Sequence, residues 1–392
     1  MPRLHHVVTC GLLGCSSVAC VEIDPSYGES YSPSGTMGPA TGSSTDTGSS
    51  GADDGSAGSG PAVDLNVAFV TSAQYTAALG GLAGADEKCQ MAAGSAGLPG
   101  TFVAWLGDAS TSAAGRLGNA SGWVRTDGLV FATDRDALLS GRASYPLMLT
   151  ETGTPVSGNG FAYVFTGAQG IGGAGVPDDC GSWSSTDPAQ YGQLGYTDAV
   201  GGWWSSGVSA PCDFMAHLFC LGIDADAPVQ NPAPAADARL MFETTGTITA
   251  DAGREVADQM CADEAGAAGL SGTFLALMAV PGEALFDRHA LGGDWVRPDG
   301  AVVLPGSGSP ATWGQVLSPP VLDVDGGLAS SAAFWSGVVS STEAATDATT
   351  CMGWTDATAI ESPIAWTLLI RWLEGQGTAT CEGARGVLCL EQ

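Results

Sequence analysis

Basic residues are scarce in this chain. Its 392 residues hold 12 Lys and Arg against 41 Asp and Glu, and the formal net charge is −29. Lysine occurs once, at Lys88. A polyanion meets like charge on such a surface, which argues against nucleic acid, heparin-like chains or an anionic membrane face as partner. Histidine is almost as rare: beyond the first six residues only His217 and His289 remain, each alone in sequence, so a zinc site built on histidine is not expected. No apolar run is long enough to cross a bilayer. The chain has no G-x-S-x-G, no His-Glu-x-x-His, and no Cys-His pair outside its recurring cysteine set, so no catalytic residues are assigned. Gly170-Ile171-Gly172-Gly173-Ala174-Gly175 spells a dinucleotide fingerprint but opens no helix, and reads as a loop.

Cysteine and glycine, by contrast, are plentiful, with 11 and 58 residues. Three cysteines lie in the first twenty residues; the other eight fall four and four along the chain, which reads as a disulfide framework in an oxidising compartment. Residues 1–20 have Arg3 and two histidines followed by a short apolar stretch, the layout of an export signal. Leu12-Leu13-Gly14-Cys15 and Ser17-Val18-Ala19-Cys20 resemble the lipobox of bacterial lipoproteins. Leu12 favours Cys15 as the lipidated residue, and segment length favours Cys20. Residues 21–62 are rich in Ser, Thr, Gly and Asp with few large apolar side chains, and cannot bury enough surface to offset ordering entropy. They read as a disordered tether with a mean reach of about 35 Å.

The remainder repeats itself. Cys89 and Gly97-Leu98-Pro99-Gly100-Thr101-Phe102 return 172 positions later as Cys261 and Gly269-Leu270-Ser271-Gly272-Thr273-Phe274. Trp123 to Gly128 returns as Trp295 to Gly300, and Cys180-x-x-Trp183 as Cys351-x-x-Trp354. The eight-residue step from Cys212 to Cys220 returns from Cys381 to Cys389. Two copies, 63–223 and 239–392, are therefore expected, joined by a Pro- and Ala-rich linker at 224–238. In the first copy a strand is expected at Val67 to Ser72, a loop at Gly80 to Gly84, and a helix from Asp86 to Ala93 with acids in its first turn. The Asp127-Gly128 pair predicts a hairpin, since such a turn needs positive φ. In the second copy the helix is expected from Asp251 to Ala265.

These matched points resemble the endostatin module of collagens and the endostatin-like domains of bacterial (spirochaete-type) lipoproteins, over residues 65–221 and 239–391. The resemblance implies an α+β fold class: two tandem C-type-lectin-like domains, with mixed, mostly antiparallel sheets, long loops and nested disulfides. Carried over by position, the nesting implies Cys89–Cys220 around Cys180–Cys212, and Cys261–Cys389 around Cys351–Cys381. Closing the long outer loops is worth about 5 kcal/mol each in the chain-entropy model. The zinc histidines of vertebrate endostatin and the calcium-dependent sugar motifs of C-type lectins have no counterpart here.

Tryptophans that recur in both copies (Trp123/Trp295, Trp183/Trp354, Trp203/Trp372) are expected in cores. Trp204, Trp313 and Trp366 recur less clearly and are the candidates for partner contact, Trp204 first, together with the loop acids Asp178 and Asp179. Asp323 and Asp325 are candidate calcium ligands, with no other metal or cofactor expected. The resemblance implies a lipid-anchored protein on the bacterial outer membrane or cell surface. It implies binding of an extracellular protein or glycan without catalysis, contact with the membrane through its N-terminal lipid only, and no nucleic acid. An envelope enzyme using loop carboxylates, or a purely structural envelope lipoprotein, are the alternatives. Mass spectrometry of the mature N-terminus is expected to find a diacylglyceryl cysteine at Cys15 or Cys20; an unmodified N-terminus elsewhere removes the anchor.

Overall fold

The computed structural model describes residues 65–156, 162–173, 178–358, 362–373 and 378–392. The expected export signal with Cys15 and Cys20, and the expected tether, lie outside the described residues. The described chain is α+β, mostly sheet with few helices.

In the first repeat eight strands make one sheet: β1 (Asn66–Val70), β2 (Phe102–Ala104), β3 (Trp123–Arg125), β4 (Val130–Ala132), β5 (Tyr163–Phe165), β6 (Tyr191–Tyr196), β7 (Val208–Pro211) and β8 (His217–Gly222). The order is β4-β3-β1-β8-β5-β6-β7, with β2 also on β8. All six residues of β8 are buried. The pairs β1–β3 and β5–β8 are parallel and the rest antiparallel. The Asp127-Gly128 turn closes the β3–β4 hairpin with Gly128 at φ 84°.

The second repeat has β9 (Arg239–Glu243), β10 (Ile248–Thr249), β11 (Phe274–Ala276), β12 (Trp295–Val296), β13 (Val302–Leu304), β14 (Ala333–Trp335), β15 (Ser362–Trp366), β16 (Thr378–Ala379), β17 (Ala384–Arg385) and β18 (Leu388–Glu391). Its sheet order β11-β18-β9-β12-β13 repeats β2-β8-β1-β3-β4 of the first. Likewise β14-β15-β16 repeats β5-β6-β7, held to the main sheet here by a single parallel bridge, Phe334 to Gly386.

Helices bury one narrow face each. Gly81–Ala96 buries Ala85, Cys89 and Ala93, and Arg254–Ala267 buries Ala257, Cys261 and Ala265, both with i, i+4 spacing. The first helix starts earlier than its glycines suggest. Residues 81–84, expected as loop, are helical, and the first turn has no acid. Glycine costs about 1 kcal/mol in a helix, yet at Gly84 a β-carbon would collide with the Leu79 carbonyl. Burial of the Cys89 face outweighs propensity. The second helix begins at Arg254, after a 3-10 turn at Ala250–Ala252.

Among the described residues the disulfides are Cys89–Cys220, Cys180–Cys212, Cys261–Cys389 and Cys351–Cys381, the pairs that the resemblance implies. Each outer bridge ties a helix to the central strand β8 or β18. Each inner bridge starts from an unusual turn. Cys180 to Trp183 have φ of 50°, 61°, 54° and 60°, and Cys351 to Trp354 have 47°, 59°, 70° and 64°. These are left-handed turns with only one glycine each, a conformation costing L-residues roughly 1–2 kcal/mol apiece. Local bonds over-determine them. Asp179 Oδ1 accepts from Ser182 N–H at 3.1 Å, and Thr350 Oγ1 from Gly353 N–H at 3.0 Å. The Trp183 and Trp354 indoles donate to the Gly107 and Ala279 carbonyls, both at 2.7 Å. Trp183→Phe is expected to cost about 1–3 kcal/mol from the orphaned Gly107 carbonyl alone, read as a lower urea midpoint.

Candidate functional site

The two repeats meet through the segments in which their sequences diverge most. Val200 N–H donates to Leu368 O at 2.9 Å and Ile370 N–H to Asp198 O at 3.0 Å, a reciprocal pair around the bridge Ala199–Leu369. The pairing places equivalent hairpin ends against each other. Thr197 N–H bonds Ala162 O at the end of β6, as Thr367 N–H bonds Ala332 O at the end of β15. Arg371 bonds Asp198 at 3.0 Å through Nε. Burial raises the pKa of Asp198 and Arg371 opposes the rise.

Arg297 completes the contact. It is fully buried, and Nη1 donates to Ala143 O at 2.9 Å and Ser144 O at 3.3 Å of the first repeat. The same nitrogen donates to Ser318 Oγ and Pro319 O, while Nε and Nη2 bond Asp299. Its counterpart Arg125 stays within its own repeat, on Asp127 and Pro146 O. Val302 N–H donates to the Tyr145 hydroxyl at 2.8 Å, and linker Asn231 bridges Ser144 and Asp299.

Beside this contact lies a cavity of about 200 Å³, bordered by Gly201, Val321, Leu328, Ser330, Ser331 and Leu368. An aromatic row also crosses from one repeat to the other. Successive ring centroids are 5.8 Å apart from Phe214 to Tyr163, 5.4 Å to Tyr196, 6.2 Å to Trp203 and 5.2 Å to Trp366. Phe214 is exposed and the other four rings are half-buried. Burial pushes the Tyr196 phenol up to about 12, so it is a neutral donor throughout the physiological range. Tyr191 and Met215 are exposed on the same repeat.

Of the residues singled out from sequence, Trp204 is a correction. It is 1% exposed and packs on Trp105 at 4.8 Å, Phe131 at 5.3 Å and Phe219 at 5.6 Å, so its ring is core and faces no ligand. Its neighbour Trp203, expected in the core with Trp372, is the half-buried one. Trp313 is also buried, against Phe286 and Trp295, whereas Trp366 lies on the row. Asp179 is a second correction: it is 7% exposed, and its carboxylate is taken up by Ser182 N–H and Ala109 N–H. Asp178 accepts from Ser209 Oγ at 2.9 Å. Asp323 turns Oδ1 onto Asp325 N–H and Gly327 N–H, an Asx turn. The pair Asp178 and Asp179 lies in one repeat, and Asp323 and Asp325 in the other. Among the described residues no three His, Cys, Asp or Glu side chains are grouped to hold a metal ion.

A polar cluster on the first repeat resolves into turn chemistry. Ser72 gives its N–H and hydroxyl to Glu151, as Thr245 does to Glu264 in the second repeat. His217 Nδ1 lies 2.6 Å from Thr71 O, which fixes the proton there and leaves Nε2 to accept from Gln74 at 3.1 Å. No bond joins Ser72 to His217. Trp203 escaped the sequence reading because the irregular segment around it has no period to tell the inward member of the Trp203-Trp204 pair from the outward one.

No protein-family model matches the chain, and no curated protein matches it.

His289 is buried beside Arg288, and both burial and that guanidinium hold its pKa down at about 3. The unfolded chain therefore takes up a proton that the native state refuses. Stability is expected to fall by up to about 1.4 kcal/mol per pH unit as pH drops from about 6.5. His289→Gln is expected to flatten this acid limb in denaturant titrations run across pH.

Proposed function

We propose that the chain is an exported, lipid-anchored binding protein of the bacterial outer membrane or cell surface. In this reading its two endostatin-like, C-type-lectin-like domains recognise an extracellular protein or glycan, without catalysis. The observation that carries the reading is the aromatic row from Phe214 to Trp366, which crosses from one repeat to the other. Half-buried Tyr and Trp present large rigid faces with polar edges, and ordering them on binding costs little entropy. The net charge of −29 favours a neutral or basic ligand over a polyanion. Support for the fold reading comes from the repeated strand order and the four nested bridges. The lipid anchor rests on the cysteine contexts at Cys15 and Cys20. Among the described residues no helix is long and apolar enough to cross a membrane.

The test is a screen of the 62–392 fragment against glycan arrays and extracellular-matrix proteins. A ligand of about micromolar affinity is expected. Trp203→Ala and Trp366→Ala should each weaken it about tenfold, the loss of one interface anchor, with the melting temperature measured in parallel. Binding no better than about millimolar across the panel, or binding that ignores both tryptophans, opposes the reading.

A further inference from the structure

Glu243 ends β9 and is fully buried. Its N–H donates to Leu322 O at 2.9 Å and it pairs with Leu388 on β18. In the first repeat Val70 holds this place, donating to Leu149 O at 2.8 Å and pairing with Phe219. A carboxyl thus stands where the other copy has an isopropyl group. The exchange extends to the facing strand. The bridges Val164–His217 and Phe334–Gly386 put Gly386 in the position of His217, and the Glu243 carboxyl fills the space that a β-carbon at Gly386 would need.

Neither Glu243 oxygen has a hydrogen-bond partner among the described residues. Burial raises its pKa well above the ordinary carboxylate range, and the Thr367 side chain opposes the rise without cancelling it. Charged groups on the adjoining elements are turned elsewhere. Asp323, after Leu322, bonds Asp325 N–H and Gly327 N–H. Arg385, before Gly386, lies over the Trp335 ring at 5.9 Å. Glu391 on β18 accepts from Leu240 N–H, and Arg371, beyond Thr367, bonds Asp198. A buried carboxyl with no cation beside it, and only the Thr367 side chain to favour its charged form, prefers the neutral acid.

Its two neighbours are the segments by which the second repeat grips the first. Val321 and Leu322 pack into the first repeat's core together with Leu369. Thr367 directly precedes Leu368, whose carbonyl takes the Val200 N–H.

We propose that Glu243 is a proton-operated latch at the junction. As the neutral acid it lets the Leu322 loop and the Thr367–Leu369 segment close on the first repeat, and loss of its proton drives them apart. The group is protonated in the closed state and ionised in the open one, so closure is complete at acid pH and weakens as pH rises. One proton released on opening means an opening constant that grows up to tenfold per pH unit above about 4.5.

The test is hydrogen exchange on the full chain, following the Val200 and Ile370 amides from about pH 5 to 8. Protection factors in the wild type are expected to fall up to about tenfold per pH unit. Glu243→Gln, which keeps the shape, and Glu243→Val, which installs the first repeat's side chain, are expected to remove most of that slope. Asp198 titrates in the same direction at this junction, so the difference between wild type and variants isolates Glu243. An infrared carbonyl band from a protonated carboxyl at neutral pH reads the latch directly in the wild type. Flat wild-type protection, a slope kept by both variants, or no such band overturns the proposal.

Discussion

A guanidinium is buried completely at Arg297, and much of the junction is arranged around that one constraint. Such a charge is tolerable only when every donor is taken, because desolvation otherwise costs several kcal/mol. Asp299 supplies the counter-charge, and the two Nη1 hydrogens are shared among four oxygens, Ser318 Oγ and Pro319 O of the second repeat and Ala143 O and Ser144 O of the first. Backbone from the first repeat thus takes part in solvating this charge. Once those carbonyls are in place, the Tyr145 hydroxyl meets Val302 and the reciprocal pair at Ala199 and Leu369 closes. Two chemically similar arginines have diverged: Arg125 finds its carbonyl at Pro146 within its own copy.

The junction uses up much of what an unpaired repeat would leave to function. The contact between the copies takes in Asp198 to Val200 of the first and Leu368 to Arg371 of the second. What they leave open is a border: the cavity beside Leu328 and Leu368, and the rings from Phe214 to Trp366. A surface made this way exists only while both repeats are joined. Any ligand held there is held by the pair, and anything that loosens the pair, including ionisation of Glu243, acts on the ligand as well.

Much of the scaffold was legible because it depends on residue types with narrow physical uses. The even cysteine set carried a disulfide framework and the Asp-Gly pair the β3–β4 turn, while the pairing of the bridges followed from the family resemblance. The helix start at Gly81 was not legible, since small residues there serve close packing on Leu79 rather than a loop. Trp203 and Trp204 were exchanged because adjacent residues in an irregular segment differ only in which way the chain happens to turn. Nothing local in the sequence marks Glu243 as buried. Its burial comes from Leu322, Thr367 and Gly386, 79, 124 and 143 residues further along the chain, beyond any local pattern.

The turns at Cys180 to Trp183 and Cys351 to Trp354 have one more consequence, which concerns chirality. Their backbones follow the mirror image of an ordinary helical turn, so the side chains at Ser182 and Met352 occupy positions that suit the D-enantiomer. A semisynthetic chain with D-serine at 182 would fold with less strain than the natural one, while the same exchange within helix Gly81–Ala96 would break it. The glycine of each turn sits at a different place, Gly181 in one and Gly353 in the other. The bridge and the indole bond therefore impose the shape, and the achiral residue eases it at whichever position it occupies.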